Sequence, residues 1–280
     1  APTNPTEMRL AVVNRDESVQ SVLKIGNLTD LEPGSADIVK VSLMNQILGG
    51  GPQGRLYKNI REDKGYTYGA YSTYDTDELI GEYMAFANVR NEVTDSALAQ
   101  FFYEMNRIRA EPVAEEDLQA AKNYLTGTFA LQLESPNTVA NFALNTARYS
   151  LPEDYYATYL QRLSAVTTDD LQAMAQEHIK PENATVLIVG KGDEIMGGLS
   201  EMGAIQWYDI YGEPTTEPSI PIPSGMTADS VIAMYLSAIG GRERLEAIDK
   251  AKIDMEISAQ GMRLQMVQRY EEPDKMSQDM

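Results

Sequence analysis

Residues 48–72 read LGGGPQGRLYKNIREDKGYTYGAYS, and the fold turns on what their glycines do. Gly49, Gly51 and Gly54 have the spacing G-x-G-x-x-G. In a dinucleotide site that spacing follows a strand and opens a helix, so that backbone N–H groups meet a pyrophosphate. Here the residues before Gly49 keep a helical period instead: Ile38, Val41, Asn45 and Leu48, with Val39, Leu43 and Ile47 beside them. Pro52 removes a backbone donor from the loop, and no Gly-Lys-Ser/Thr follows. Gly49, Gly50 and Gly51 are therefore expected to form a structural turn that ends one helix and aims the next.

Downstream of the turn, residues 54–64 predict a second helix with Leu56, Tyr57 and Ile60 inward and Gly65 as its left-handed stop. Residues 66–74 then alternate as a strand and residues 79–89 as its partner, with the turn at 75–77. Strict alternation puts Tyr66, Tyr68 and Tyr74 on one face and Tyr71 on the other. Tyrosine is a favoured strand residue, so sheet packing is one reading of the run. The other concerns Arg61, in the last turn of the helix, and Tyr68, at the start of the strand. A helix–turn–strand corner can bring guanidinium and phenol together as fixed donors to a carbonyl or carboxylate oxygen.

Before this stretch, residues 8–13 and 21–26 predict strands, the second ending at a Gly26-Asn27 turn signal, and Ser35 is a candidate cap for the first helix. After it come predicted helices over 94–109, 115–133, 137–149 and 168–178, a strand over 184–190, a short helical excursion over 192–203 and a last strand over 204–210. Hairpins followed by runs of helices mean an α+β fold, with an antiparallel-rich sheet and helices on one face.

Residues 212–225, GEPTTEPSIPIPSG, hold four prolines in fourteen positions and read as a stiff, extended linker. The expected division is a domain over 1–212, a linker over 213–225 and a second unit over 226–280. That unit predicts a Thr227-capped helix over 228–239 stopped by Gly240-Gly241. A hairpin follows, with Ile253, Met255 and Ile257 alternating, Gly261 at the turn and Met262, Leu264 and Met266 alternating back. So small a unit buries too little surface to be comfortable alone, and reads as the truncated opening of a longer β-rich domain. The start at Ala1, with no apolar signal region, gives the expectation of an excised piece with more chain upstream.

With 280 residues, 43% hydrophobic and 23% charged, the chain can bury a sizeable core. Its net charge of −19 argues against nucleic acid and against anionic lipid as partners. It fits a well-solvated surface or an acidic chamber that draws basic peptides. No apolar run approaches the roughly 18 residues of a membrane span. Without cysteine there are no disulfides, Fe–S clusters or thiolate zinc sites. The single histidine, His178, closes a predicted helix in AQEHIKPEN, where it suits the helix dipole better than a catalytic base. Neither H-E-x-x-H nor H-x-x-E-H occurs, and Glu115, Glu116 and Asp117 read as helix-start charge. The chain by itself shows no complete hydrolytic site and no metal ligand set.

The string ILGGGPQGRLYKNIREDKGYTYGAYS (47–72) resembles the second-half signature of the insulinase/pitrilysin-type zinc peptidases, which include mitochondrial processing peptidase. That signature is a glycine turn, a helix ending in Arg-Glu, a glycine, and a tyrosine seven residues after the arginine: here Arg61, Glu62, Gly65 and Tyr68. VQSVLKIGNL (19–28) resembles the family's early strand, and LQAMAQEHIKPENATVLIVG (171–190) its closing helix and strand. The resemblance spans about residues 6–211. It implies the LuxS/MPP-like metallohydrolase fold, with Arg61 and Tyr68 as substrate-binding residues that hold a peptide near the zinc of the family's other half. The H-x-x-E-H ligands and general-base glutamate of that half are absent here. The resemblance thus implies a metallopeptidase-family chain inactive by itself, with zinc in an upstream domain or a partner subunit. The alternative is a non-catalytic scaffold subunit of the same fold, which has no need of Arg61 and Tyr68. The tail resembles the start of a lipoprotein-carrier domain, which implies an exported, periplasmic bacterial protein.

Overall fold

The computed structural model describes residues 2–217, 226–259, 262–271 and 275–279. They divide into two compact units, Ala1–Pro218 and Ser219–Met280. The first opens with β1 (Arg9–Asn14), β2 (Gln20–Thr29) and α1 (Ile38–Leu48). A π-helix (Tyr57–Asp63), β3 (Thr67–Asp75) and β4 (Gly81–Arg90) follow. Next come α2 (Thr94–Ala110), α3 (Glu115–Gln132), α4 (Pro136–Arg148), α5 (Tyr159–Ala165) and α6 (Thr168–His178). The unit closes with β5 (Thr185–Gly190), α7 (Gly192–Ser200) and β6 (Ile205–Tyr208).

The sheet order is β3-β4-β2-β5-β1-β6. β3, β4, β2 and β5 pair antiparallel in turn, and β1 runs parallel to both β5 and β6. The result is the expected α+β domain with a mixed, antiparallel-rich sheet. Period-two alternation decides its buried face: Leu23 and Ile25 of β2, Tyr83, Ala85, Ala87 and Val89 of β4, and Val186 and Ile188 of β5 are all buried. α1 is apolar nearly all round and lies in the core, against α6, α3 and β3.

Three local expectations are corrected. Gly26-Asn27 is not a turn, because β2 continues to Thr29. Gly26 pairs with Met84 on one side and Thr185 on the other. The Asn27 amide is used internally: Nδ2 donates to His178 O at 2.9 Å and Oδ1 accepts from Lys180 N at 3.0 Å, so the residue ties β2 to the end of α6. Ser35 does not cap α1; Asp37 holds the N-cap position, and Ser35 Oγ accepts from Asp37 N at 3.2 Å. Residues 213–215, expected in the linker, fold back along β6, with Asp209 N donating to Glu213 O and Thr215 N to Trp207 O, each at 2.9 Å. Most of the remaining proline-rich segment, 218–225, lies outside the described residues.

α6 begins with a capping box, in which Asp170 N donates to Thr167 Oγ1 at 3.2 Å and Thr167 N to Asp170 Oδ2 at 2.9 Å. The Thr167 N–H holds the Asp170 carboxyl below its ordinary pKa, with the Thr167 hydroxyl and Lys40 adding to the effect against the cost of burial. A carboxyl lowered in the folded state stabilises it above the unfolded pKa and loses that contribution as pH falls through the folded value. Asp170→Ala is therefore expected to cost about 1 kcal/mol near neutral pH. The gap to the native chain should narrow below about pH 4. Urea unfolding at the two pH values checks this.

The second unit comprises α8 (Ala228–Ala238), α9 (Arg242–Glu246), β7 (Lys250–Ala259), β8 (Met262–Glu271) and β9 (Lys275–Asp279). Thr227 and Ser230 form the capping box of α8, and Gly240 and Gly241, at φ +111° and +86°, end it. β7 and β8 make the expected hairpin, and β9 adds a third antiparallel strand. Gly261, the expected turn residue, lies outside the described residues.

Candidate functional site

The glycine turn brings two backbones into contact. Gly49 N and Gly50 N both donate to Asn45 O at 2.8 Å, Gly54 N to Gly51 O at 2.9 Å, and Ser72 N of β3 to Gly49 O at 2.9 Å. Ser72 Oγ donates to Asn45 Oδ1 at 2.7 Å, and Asn45 Nδ2 to Ser72 O at 3.1 Å. A Cβ on Gly49 would lie 2.5 Å from Ser72 N and 2.8 Å from Leu56 Cδ1; one on Gly54 would lie 2.9 Å from Gly49 Cα. The glycines are thus required by close approach, and these three N–H groups are spent inside the protein rather than offered to a phosphate.

Beyond the turn, the expected α-helix is instead a π-helix, with Lys64 N donating to Asn59 O at 3.0 Å, five residues back. Leu56, Asn59 and Ile60 are buried. Gly65 follows at φ +64°, the left-handed stop that its type predicts. Gly65 O accepts from Arg90 Nη1 at 2.8 Å, and Arg90 Nε donates to Glu92 at 2.7 Å, so the end of β4 fixes the corner.

β3 opens with a bulge. Thr67 pairs with Val89 but Ala70 with Ala87, so one extra residue sits in β3. Thr67 and Ala70 are both buried, and Tyr68 between them is 85% exposed. The extra residue resets the alternation and corrects the expected grouping of tyrosines. Tyr66 and Tyr74 pack on the core side, where Tyr74 shares a hydrogen bond with Ser42 of α1. Tyr71 lies on the opposite side with Tyr68, its ring centroid 6.1 Å from Phe86 and 5.8 Å from Tyr57.

Arg61 and Tyr68 meet at this corner. The guanidinium carbon of Arg61 is 5.9 Å from the centre of the Tyr68 ring, within cation–π range. Among the described residues the Arg61 guanidinium and the Tyr68 hydroxyl have no hydrogen-bond or ion-pair partner, so donors of both stay available. His178 is buried at the end of α6, and neither ring nitrogen has a hydrogen-bond partner. Among the described residues no group of three or more His, Asp and Glu could hold a metal ion.

Two residues escaped the sequence reading. Arg90 braces the Gly65 carbonyl. Glu104 of α2, 3% exposed, accepts from Asn59 Nδ2 of the π-helix at 2.7 Å. The signal for Glu104 was present: it interrupts the buried stripe Ala97, Phe101 and Ile108 of α2, where a charge needs a partner.

The first unit is thus an α+β domain with Arg61 and Tyr68 together at one exposed corner of its sheet. Residues 2–125 match the family described as Peptidase M16 inactive domain. That match falls within the first unit and agrees with the resemblance to the insulinase/pitrilysin peptidases. The chain is 24% identical over 187 residues to a Bacillus subtilis (strain 168) protein named "Uncharacterized zinc protease YmxG", covering 65% of this chain and 44% of that one. It is 21% identical over 153 residues to a "Non-peptidase homolog YmxG" of Helicobacter pylori, covering 55% of this chain and 35% of the relative. The crystal structure of a peptidase M16 inactive domain from Pseudomonas fluorescens superposes with a TM-score of 0.62 at 25% identity, over 68% of this chain and 45% of that chain. The chain thus spans less than half the length of these relatives. No helix among the described residues is long and apolar enough to cross a membrane.

Proposed function

We propose that Arg61 and Tyr68 hold the backbone of a peptide for hydrolysis by an H-x-x-E-H zinc half that is not among these 280 residues. The observation that carries this reading is the pair itself: two polar groups side by side on the exposed side of β3, with their donors free. The guanidinium fork suits a carbonyl or carboxylate oxygen, and the phenol adds a donor beside it. Among the described residues no group of three or more possible ligands forms a metal site, and on this reading the other half holds the zinc, which would supply an activated water there. This chain's part is to bind and orient the substrate.

The chain alone is expected to take up no stoichiometric zinc and to cleave no peptide. Mixed with the H-x-x-E-H half, it should restore cleavage; cleavage by the chain alone, or none in the mixture, sinks the reading. The Helicobacter pylori relative, named a non-peptidase homolog, favours a second reading as a scaffold subunit. Under it, the two halves assemble and no cleavage appears. We read residues 226–280 as the opening of a β-rich domain joined through 213–225. Its likeness to a lipoprotein-carrier domain supports export in a bacterium.

A further inference from the structure

The face of the sheet turned away from the helices carries a groove at the end far from Arg61 and Tyr68. Its volume is about 870 Å³. Alternation builds its floor: Leu10 and Val12 of β1 are buried against the helices, so Arg9 and Val13 point the other way. Val13 stands opposite Val189 of β5 and Tyr208 of β6, and Leu187 of β5 lies two residues before Val189 on the same side. Arg15 continues the row past the end of β1, with its backbone N–H donating to Gly190 O at 2.8 Å. One wall is the turn that follows β6. There Asp209 N donates to Glu213 O at 2.9 Å, and Asp209 Oδ1 accepts from Tyr211 N and Glu213 N at 2.9 Å each. The turn so fixed keeps Ile210 and Tyr211 against the groove, yet 67% and 84% exposed. Large apolar side chains held open beside an apolar floor mark a contact surface rather than scattered surface residues.

Charge decides what fits there. The chain carries a net −19, but Arg9 and Arg15 have no ion-pair partner among the described residues, and neither has Lys24 of β2, which stands opposite Leu187. Among the described residues that line the groove, Asp209 alone is acidic, and its Oδ1 is engaged in the turn. The guanidinium carbon of Arg9 lies 5.6 Å from the centre of the Tyr208 ring, a stacking that leaves its N–H edge free to meet a carboxylate. From Arg9 to Arg15 is six steps of extended chain, roughly 20 Å. A small anion, or a lipid with one anionic head, meets only one of the two arginines. An occupant that meets both needs acidic groups about that far apart with an apolar body between them. An extended peptide of about seven residues has this form, because its alternate side chains face one way and its ends lie about 20 Å apart.

We propose that this groove binds an extended peptide segment that is acidic at both ends and apolar between. The carboxylates lie on Arg9 and Arg15, and the apolar side chains rest on Val13, Leu187 and Tyr211. Complementary charge at the two ends fixes the register of the segment. β1 stands four strands from β3 in the sheet, roughly 19 Å away, so the groove is separate from the Arg61–Tyr68 corner and stands whether or not that corner clamps peptides.

Calorimetric titration of the 280-residue chain tests this with three peptides, all acetylated and amidated at their ends. The first is Asp-Thr-Val-Thr-Val-Thr-Asp, which puts two carboxylates and two valines on one side. The second replaces both aspartates by asparagine. The third, Val-Thr-Asp-Thr-Asp-Thr-Val, has the same composition and charge with the acids inside. The first should saturate one site with a Kd of about 1 mM or tighter, and the other two should bind at least about tenfold more weakly. Arg9→Gln and Arg15→Gln should each weaken the first peptide by about fivefold or more. No saturable binding of the first peptide overturns the proposal. Equal binding of the asparagine peptide makes the contact apolar only, and equal binding of the third makes it a general attraction to cations; either overturns the proposal as well. Loss of binding on Arg61→Ala with none on Arg9→Gln and Arg15→Gln places the peptide at the corner instead, and also overturns it. The three-peptide comparison uses the unaltered chain, so it does not depend on how the variants fold.

Discussion

Gly49→Ala is expected to lower the stability of the first unit by about 3 kcal/mol or more, against a total that is typically 5–15 kcal/mol. The added methyl would stand 2.5 Å from Ser72 N and Ser72 Oγ and 2.8 Å from Leu56 Cδ1. Two of those atoms belong to β3, and the backbone nitrogen cannot rotate away. Relief requires that the turn and the strand part, which breaks the bond from Ser72 N to Gly49 O and strains the paired bonds between Asn45 and Ser72. Each such buried bond contributes about 1 kcal/mol, so its loss adds to the overpacking cost. Gly65→Ala is the comparator. Gly65 has φ +64° but nothing within 4 Å of its would-be Cβ, so its cost is backbone strain alone, about 1–2 kcal/mol. Urea unfolding followed by the fluorescence of Trp207, the only tryptophan and buried in β6, measures both. A Gly49→Ala cost no larger than that of Gly65→Ala would mean that the turn relaxes and close approach is not why glycine stands there.

That contrast shows why some of the fold was legible in the sequence and some was not. α6 and α2 were readable because their apolar residues keep a helical period, Leu171, Met174 and Ala175 in the one and Ala97, Phe101 and Ile108 in the other. Gly65 was readable because a left-handed stop is a property of one residue. The Gly49–Gly54 turn was readable as a turn, but its partner Ser72 is distant in sequence, and no local pattern announces a backbone contact. The π-helix escaped for a related reason: over so short a run, α and π spacing leave Leu56 and Ile60 equally inward, and the bond from Asn59 to Glu104 that accompanies the wider turn joins residues far apart in sequence. The bulge escaped because alternation assumes one residue per step, and Thr67–Ala70 holds one more. α5 is a single short helix that buries only Leu163 and offers no period to read. At the corner the sequence supplied the identities of Arg61 and Tyr68. Tertiary structure supplied what makes them a pair: the bulge that turns Tyr68 outward and the Arg90 brace on Gly65.

In the complex with a zinc-bearing half, Tyr68→Phe is expected to lower kcat/KM for peptide cleavage by roughly a hundredfold, and Arg61→Ala by roughly a hundred- to a thousandfold. The phenylalanine keeps the ring beside the guanidinium and removes only the hydroxyl, so its loss measures that donor. The alanine removes the fork and also the cation that lies 5.9 Å from the Tyr68 ring, so it frees the tyrosine as well. The double variant should therefore lose less than the product of the two single losses, the mark of two groups acting on one oxygen. Arg61→Lys should recover little, since a single ammonium does not reproduce two parallel donors. Thermal stability separates this from packing. Tyr68 is 85% exposed, and among the described residues neither side chain carries a protein hydrogen bond, so each substitution should change stability by no more than about 0.5 kcal/mol. Full activity with a marked drop in Tm would make the pair a packing contact at the corner of the sheet. Strictly multiplicative losses would mean that arginine and tyrosine serve different parts of the substrate.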